Sequence, residues 1–214
     1  MTRRESCTRS SRDRSRRRPE LAVAVLLAAT AGCAKAVPPS PLVVQQAAAL
    51  PAYSASLQVS VSGPRMRGRS RALVAFRRPD ALRIEIPGTS GARLVAVARD
   101  GRLTAVIPAE RAVLEREARP EELEALLGVA LAPPELMDLL VGVAPAGLRD
   151  YDARWGPRLP RRIEARLADG TRLVAAIEDA DGGEQVSARA FEPPPHAGYR
   201  SIDADEARRL LGGR

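Results

Sequence analysis

Residues 53–62 read YSASLQVSVS: Tyr53, Ala55, Leu57, Val59 and Val61 alternate with Ser54, Ser56, Gln58, Ser60 and Ser62 in an unbroken period of two. Successive side chains of an extended chain point to opposite faces, so this pattern predicts a long strand with one apolar and one wet face. The following segments repeat the theme. Gly63 and Pro64 turn the chain, a second strand runs through residues 67–77, and Arg78, Pro79 and Asp80 break it. Leu82, Ile84 and Ile86 alternate with Arg83 and Glu85 in a third strand, closed by PGTSG at 87–91. Further strands are predicted over 93–99, 102–107 and 111–115, divided by an Asp100-Gly101 turn and a Pro108-Ala109 break. Short connections rich in Gly, Pro and Asp join antiparallel neighbours, so these strands form one curved meander.

The period changes over 119–150. Pro120 suits a first helical turn, Glu121 and Glu122 suit its positive end, and Leu123, Leu126 and Leu127 form an apolar stripe that stops at Gly128. Pro133 and Pro134 restart the chain, and Leu136, Met137, Leu139, Leu140 and Val141 form a second stripe before Gly142. Residues 149–160, with Tyr151, Trp155, Gly156 and Pro157, read as a loop or an irregular strand. Strands resume over 162–168 and 171–178, around an Asp169-Gly170 hairpin turn, and over 185–191 after a turn through Asp181, Gly182 and Gly183. Pro193, Pro194 and Pro195 end the sheet, and 203–211 offers a last short helix starting at an acidic cap. A short helix over 43–50 precedes the first strand.

The composite is an α+β fold, an antiparallel sheet whose apolar face is covered by short helices. Leu57, Val59, Val61, Leu82 and Ile84 supply the sheet's side of that interior; Leu123, Leu126, Leu127, Leu136, Leu139 and Leu140 supply the lid. A dry aliphatic surface of this kind shelters acyl chains, which need no directional chemistry. Periodicity alone describes a packed core equally well, and both readings stand at this point.

Upstream, residues 20–35 read ELAVAVLLAATAGCAK, an apolar run too short for a permanent span of about 20 residues. With an arginine-rich segment before it and small residues after it, the run fits a secretory signal. Ala31, Gly32 and Cys33 resemble the lipobox of bacterial lipoproteins, and that resemblance implies cleavage before Cys33 and lipidation of its thiol. The alternative is an ordinary cleaved signal with an incidental cysteine. Ser15, Arg16 and Arg17 make a poor twin-arginine signal, because Pro19 and Glu20 stand where its apolar residues belong. The organisation is therefore a signal over 1–32, a lipidated cysteine and proline-rich spacer over 33–51, a domain over 52–192 and a tail over 193–214. Of the formal net charge of +8, residues 1–32 carry +5, so the basic excess leaves with the signal and no nucleic-acid partner is expected. Cys7 and Cys33 are the only cysteines, which excludes a disulfide within the mature domain.

A lipoprotein cysteine, the long first strand, FRRPD at 76–80 leading to Leu82-Arg83-Ile84, ELEALLG at 122–128, LLVG at 139–142 and LPRRI at 159–163 together resemble the outer-membrane lipoprotein receptor family, LolB, and its soluble carrier relative, LolA. The resemblance covers about residues 53–191. It implies an incomplete, half-open antiparallel barrel lidded by short helices, which binds the acyl chains of lipoproteins and assists their localisation. It further implies a monomer tethered to the outer membrane by its lipid anchor and facing the periplasm, with lipoprotein acyl chains or another lipid as ligand and a LolA-like carrier as partner. Ala34 after Cys33 agrees with the outer membrane, since it is not the aspartate of inner-membrane retention. Two features depart from the receptor pattern. The 87–91 loop carries no large apolar side chain, and Trp155 is the only tryptophan.

No cofactor, metal or catalytic chemistry is expected. His196 is the only histidine and follows three prolines, so no familiar zinc set can form. Gly88, Thr89, Ser90 and Gly91 lack the spacing of a nucleophile elbow. Asp203 and Asp205 suit a helix start better than acid–base work. Arg65, Arg67, Arg69 and Arg71 recur at every second residue, which places them on one face of the second strand, either solvated or against an anionic surface. A non-enzymatic structural or sensory envelope lipoprotein on the same scaffold, acting by protein contacts, is the competing function.

Overall fold

A computed structural model describes residues 38–183 and 186–212. The signal and Cys33 lie outside the described residues. Residues Ala36–Arg214 form one compact unit that carries its whole core within itself, the property of a segment able to fold alone.

Among the described residues the alternating segments become ten strands of a single sheet. They are β1 (Ala52–Ser62), β2 (Arg67–Arg77), β3 (Ala81–Gly88), β4 (Gly91–Arg99), β5 (Arg102–Ile107), β6 (Ala112–Glu117), β7 (Asp150–Trp155), β8 (Pro160–Arg166), β9 (Arg172–Gly182) and β10 (Arg200–Ser201). Their order is β10-β6-β5-β4-β3-β2-β1-β9-β8-β7, antiparallel throughout except for the parallel β10–β6 pair. Register carries one apolar face across the sheet. From Leu57 it passes to Ala72 on β2; Phe76 lies opposite Leu82, Ile84 opposite Ala96, and Ala105 opposite Leu114. In the other direction Val59 faces Ala175, which faces Ile163.

The chain covers that face with helices α2 (Pro120–Leu127), α3 (Pro133–Leu140) and α4 (Ala204–Gly212), while α1 (Pro41–Ala48) adds Ala47 to the same core. Local chemistry sets the helix ends. The Ser40 hydroxyl accepts from the Val43 N–H at 3.4 Å, and the Glu135 carboxylate accepts from the Ala132 N–H at 2.7 Å before α3. The Asp203 carboxylate accepts from the Glu206 N–H at 2.7 Å at the start of α4, the acidic cap read from the sequence. Helix α2 stops at Gly128, whose φ of +72° suits glycine and whose open α-carbon faces the Met66 side chain. Gly142 is tighter still: a Cβ there would stand 2.3 Å from the Trp155 ring.

Three elements differ from the sequence reading. Residues 149–160 hold a regular strand, β7, paired with β8 along its length and bulged only between Arg154 and Trp155. The C-terminal segment, besides the expected helix α4, supplies β10, and its Ile202, Ala207 and Leu211 join the main core. The strand expected over 185–191 is not one: Ala188–Phe191 is a 3-10 turn lying on the outer face of the sheet. The physical reason lies in β4, where Leu94, Ala96 and Ala98 point to the main core while Val95 and Val97 point outward and still need cover. Phe191 provides it with full burial, the Arg77 guanidinium lies 5.7 Å from its ring centroid, and Arg83 donates to the Ala190 carbonyl at 3.2 Å. This strap is a second, smaller core on the convex side.

Replacing the strap's anchor tests it. Phe191→Ala should cost about 3–5 kcal/mol, the usual range for emptying a buried phenylalanine site, read as a lower urea midpoint at constant slope; a loss under about 1 kcal/mol would show that the strap is not part of the folded unit.

Candidate functional site

Helices of eight or nine residues are too small to fill the concave face of a sheet this wide. They leave a cavity of about 300 Å³. Its sheet wall is Leu57, Val59 and Val61 from β1, Ala72 and Val74 from β2, Ile84 and Ile86 from β3, Ile163 from β8, and Leu173 and Ala175 from β9. Its lid is Leu126 and Leu127 from α2, Val129 after it, Leu136, Leu139 and Leu140 from α3, and Leu211 from α4. Alanine at positions 72 and 175 keeps the wall low, so the void is written into side-chain size as well as backbone curvature.

The structure thus gathers Leu57, Val59, Val61, Ile84, Leu126, Leu127, Leu136, Leu139 and Leu140 around one space. Leu82 and Leu123 do not line it; both are 1 % exposed and packed inside the solid part of the core. Ala72, Val74, Ile86, Ile163, Leu173, Ala175 and Leu211 were not singled out from the sequence. The alternation of their own strands marked most of them, because each stands at the inward parity of its strand.

The lid is fastened at its rim. Arg65, in the turn before β2, pairs with Glu124 of α2 at 3.0 Å, and Arg78, after β2, pairs with Asp138 of α3 at 2.6 Å. Helix α4 is held by Arg93, which donates to the Leu211 carbonyl, and by Arg200, which pairs with Glu206. Arg93 owes its aim to a bulge. Ile86 lies opposite Leu94 and Pro87 opposite Ala92, so Arg93 is the extra residue of the β3–β4 ladder, and such residues are turned away from the face their parity assigns.

The sheet splits beside the cavity. β2 pairs with β1 along its whole length but with β3 only from Leu73 to Arg77, leaving residues 67–72 with a strand on one side alone. Arg67, Gly68, Arg69 and Ser70 border the cavity there, as do Ile86, Arg93 and Gly212; Gly68 and Ser70 share the inward parity of Ala72, whereas Arg67 and Arg69 stand at the outward parity of β2. The four arginines read from the sequence therefore separate. Arg65 is not on the strand and is neutralised by Glu124; Arg71 donates to the Ser56 hydroxyl and lies 3.5 Å from the Glu178 carboxylate; Arg67 and Arg69 stand at the same outward parity as Arg71, with no carboxylate within 4.0 Å among the described residues.

Displaced ionisations lie away from this lining. Burial pushes the Tyr53 phenol up, and burial followed by the nearby Asp152 charge pushes Tyr151 up to about 12. The Thr171 N–H, donating at 2.8 Å, holds the Asp169 carboxyl below the usual carboxylate range. His196 sits 2.9 Å from the Pro194 carbonyl and 3.6 Å from Glu115. Among the described residues no three metal-ligating side chains converge, and no helix is long and apolar enough to cross a membrane. The lining is mainly aliphatic, with Ser70 its one hydroxyl-bearing residue.

No protein-family model and no curated protein matches the chain. Solved structures with a similar chain course include a LolA superfamily protein from Nitrosomonas europaea, with TM-score 0.44 and 9% identity over 73% of this chain and 99% of that one. An uncharacterized conserved protein from Thermus thermophilus gives 0.43 and 9% over 75% and 96%. A putative outer membrane lipoprotein-sorting protein domain from Vibrio parahaemolyticus gives 0.38 and 7% over 70% and 94%. At these values the site is read from its own geometry.

A substitution inside the void separates a cavity from a packed core. Ala72→Leu should keep or slightly raise the melting temperature while reducing uptake of a fluorescent apolar probe about tenfold, the equivalent of about 1.4 kcal/mol. A destabilisation of about 1–3 kcal/mol, the usual cost of overpacking, would show that no usable space exists there.

Proposed function

We propose that this protein is a lipid-anchored, periplasm-facing lipoprotein that takes acyl chains into its cavity and assists the localisation of lipoproteins to the outer membrane. The observation that carries the proposal is the aliphatic cavity between the concave sheet face and the α2–α3–α4 lid. Burying an acyl chain there removes apolar surface from water at about 25 cal/mol per Å² and asks for no directional partner. The fastened lid supports a carrier: rim contacts worth about 0–1 kcal/mol each when solvent-exposed are strong enough to order the helices and weak enough to release them. Binding and release then need no catalysis, and the lining offers no nucleophile–base pair for any. The run of small residues before Cys33 supports the anchor, with processing at Gly32 and lipidation of the Cys33 thiol as the steps that tether the domain.

A void of this size supports acyl binding over a structural or sensory lipoprotein with a filled interior. Departure from a membrane-inserting receptor remains at the β3–β4 turn, where Thr89 and Ser90 present no apolar wedge. Cargo is accordingly sheltered in the cavity and handed on by lid opening rather than driven into the bilayer by that turn.

Two measurements test this function. With protein starting at Ala34 and loaded with a fluorescent apolar probe, an acylated lipopeptide should displace the probe and its unacylated twin should not; failure of both to displace sinks acyl binding. In cells fed labelled palmitate, the wild type should become labelled and Cys33→Ser should not; label persisting on the variant places any lipid elsewhere.

A further inference from the structure

We infer that the free edge of β2, residues 67–72, takes up an extended acidic peptide as an added strand, the peptide being the segment that follows the acylated cysteine of a lipoprotein cargo. This rests on the acyl-binding reading above and adds to it how the peptide part of the cargo is recognised.

The backbone hydrogen bonds at the two ends of the β1–β2 ladder identify the groups left over. The Gly63 N–H donates to the Met66 carbonyl at 2.9 Å at one end, and the Arg78 N–H donates to the Pro51 carbonyl at 2.8 Å at the other. The register between them is unbroken, so bonded and non-bonded pairs alternate along it. Gly68, Ser70 and Ala72 therefore direct their N–H and C=O groups at β1, and Arg67, Arg69 and Arg71 direct theirs away from it. The β2–β3 ladder starts only at Leu73, opposite Glu85, so among the described residues no strand meets those three. The cause lies in β3. Carried one bonded pair further, that ladder would set Arg71 opposite Pro87, which has no N–H to give. The edge faces open space: residues 67–70 border the cavity from one lip of the split, Ile86 and Arg93 from the other, and nothing lies within 4 Å of the place a Cβ on Gly68 would occupy.

Charge selects the occupant. Arg67, Arg69 and Arg71 are exposed on the outward side of the same edge. Glu178 approaches Arg71, whereas Arg67 and Arg69 have no carboxylate within 4.0 Å among the described residues. A second copy of this chain, paired antiparallel through the same edge about Arg69, would set Arg67 opposite Arg71 and Arg69 opposite itself, and like charges directly opposite destabilise a pair. A strand with carboxylates at alternate positions does the reverse: main-chain bonds hold it and its alternate side chains select it. Position says which chain supplies that strand. Gly68 and Ser70, between the arginines, lead along the cavity border to Ala72 and Val74 in its wall. An acyl group lodged there leaves its peptide beside this edge, and a spacer of the kind read after Cys33, with no core of its own to join, can extend along it.

Short palmitoylated peptides are titrated by probe displacement against the protein starting at Ala34. One carries glutamate at every second residue, its twin carries lysine there, and two further versions of the glutamate peptide are N-methylated at one or the other alternate set of amides. The glutamate peptide should bind about tenfold tighter than the lysine twin. Methylation of one set should weaken it about tenfold and methylation of the other should leave it within about threefold, because only alternate amides of an added strand face β2. Arg69→Pro removes an N–H that β1 does not use, at an edge position where a strand accepts proline; the variant should unfold as cooperatively as the wild type and lose the preference for glutamate. Methylated sets that bind alike overturn the added strand and leave the acyl cavity standing, whether or not the variant folds. Glutamate and lysine peptides that bind the wild type alike, or a folded Arg69→Pro that keeps the preference, overturn it too. So does a dimer of the unliganded protein that Arg69→Pro dissolves, which gives the edge to a second copy. Displacement by none of the palmitoylated peptides overturns the acyl reading itself, and this inference with it.

Discussion

One constraint governs this molecule: a ten-stranded sheet presents a single continuous apolar face, and every inward side chain on it must be taken out of water. The strands are long enough, and the register regular enough, that the face runs from Leu114 on β6 through Leu57 on β1 to Ile163 on β8 without a polar interruption in the solid core. Each fully buried leucine, isoleucine or phenylalanine on it contributes about 1.5–3 kcal/mol relative to exposure. The chain meets the demand with three separate helices of eight or nine residues instead of one long one. That choice is what creates an interior space, because short cylinders laid on a concave surface touch it at their middles and leave gaps between them. Where alanine occupies the wall the gap deepens.

The ion pairs of the fold are arranged at the edge of that solution. The single buried polar residue among the described ones, Thr171, has its hydroxyl satisfied by Asp169 at 2.7 Å. Ion pairs sit at the perimeter, where they fix helix positions without a large desolvation cost. The β3–β4 bulge belongs to the same economy of design: one extra residue turns an arginine from the convex side toward the end of α4, joining a strand irregularity to the closing of the lid. On the convex side the strap around Phe191 does for Val95 and Val97 what the helices do for the concave face.

Much of this was legible in the sequence, and the exceptions are instructive. Alternation located β1 through β6, β8 and β9, and the leucine stripes located α2 and α3, because in those segments one face is wet and the period stands out. The 150–155 strand was obscured by Gly156 and Pro157, although Tyr151, Ala153 and Trp155 already alternate with Asp150, Asp152 and Arg154. The 185–191 segment misled for the opposite reason. Its Val186, Ala188 and Ala190 suit an extended strand, and nothing local says that it docks through Phe191 on a sheet face instead of pairing at an edge. A signal for that docking did exist at a distance: the uninterrupted run Leu94–Ala98 marks a strand buried on both sides, so some other segment had to cover its outer face. Cavity residues were readable as inward-facing; the void itself was not, since it depends on how far short helices reach across a curved surface. The pairing of two arginines and the isolation of two others depended on where Glu124 and Glu178 come to rest, which strand parity does not encode.

The join between β1 and β9 has a kinetic meaning. These two strands stand seventh and eighth among the ten, and Ser62 pairs with Arg172 and Tyr53 with Gly182, residues separated by most of the domain's length. A loop that long must close before β9, β8 and β7 join the rest of the sheet, and non-local pairings of this kind are slow to form. Until then the β1–β6 meander is complete with its greasy face bare, a species prone to aggregate. A chain that emerges amino end first presents the meander ahead of the strand that completes it. Shielding of that meander while β9 is still missing is therefore as much a condition of this architecture as the lid that finally covers it.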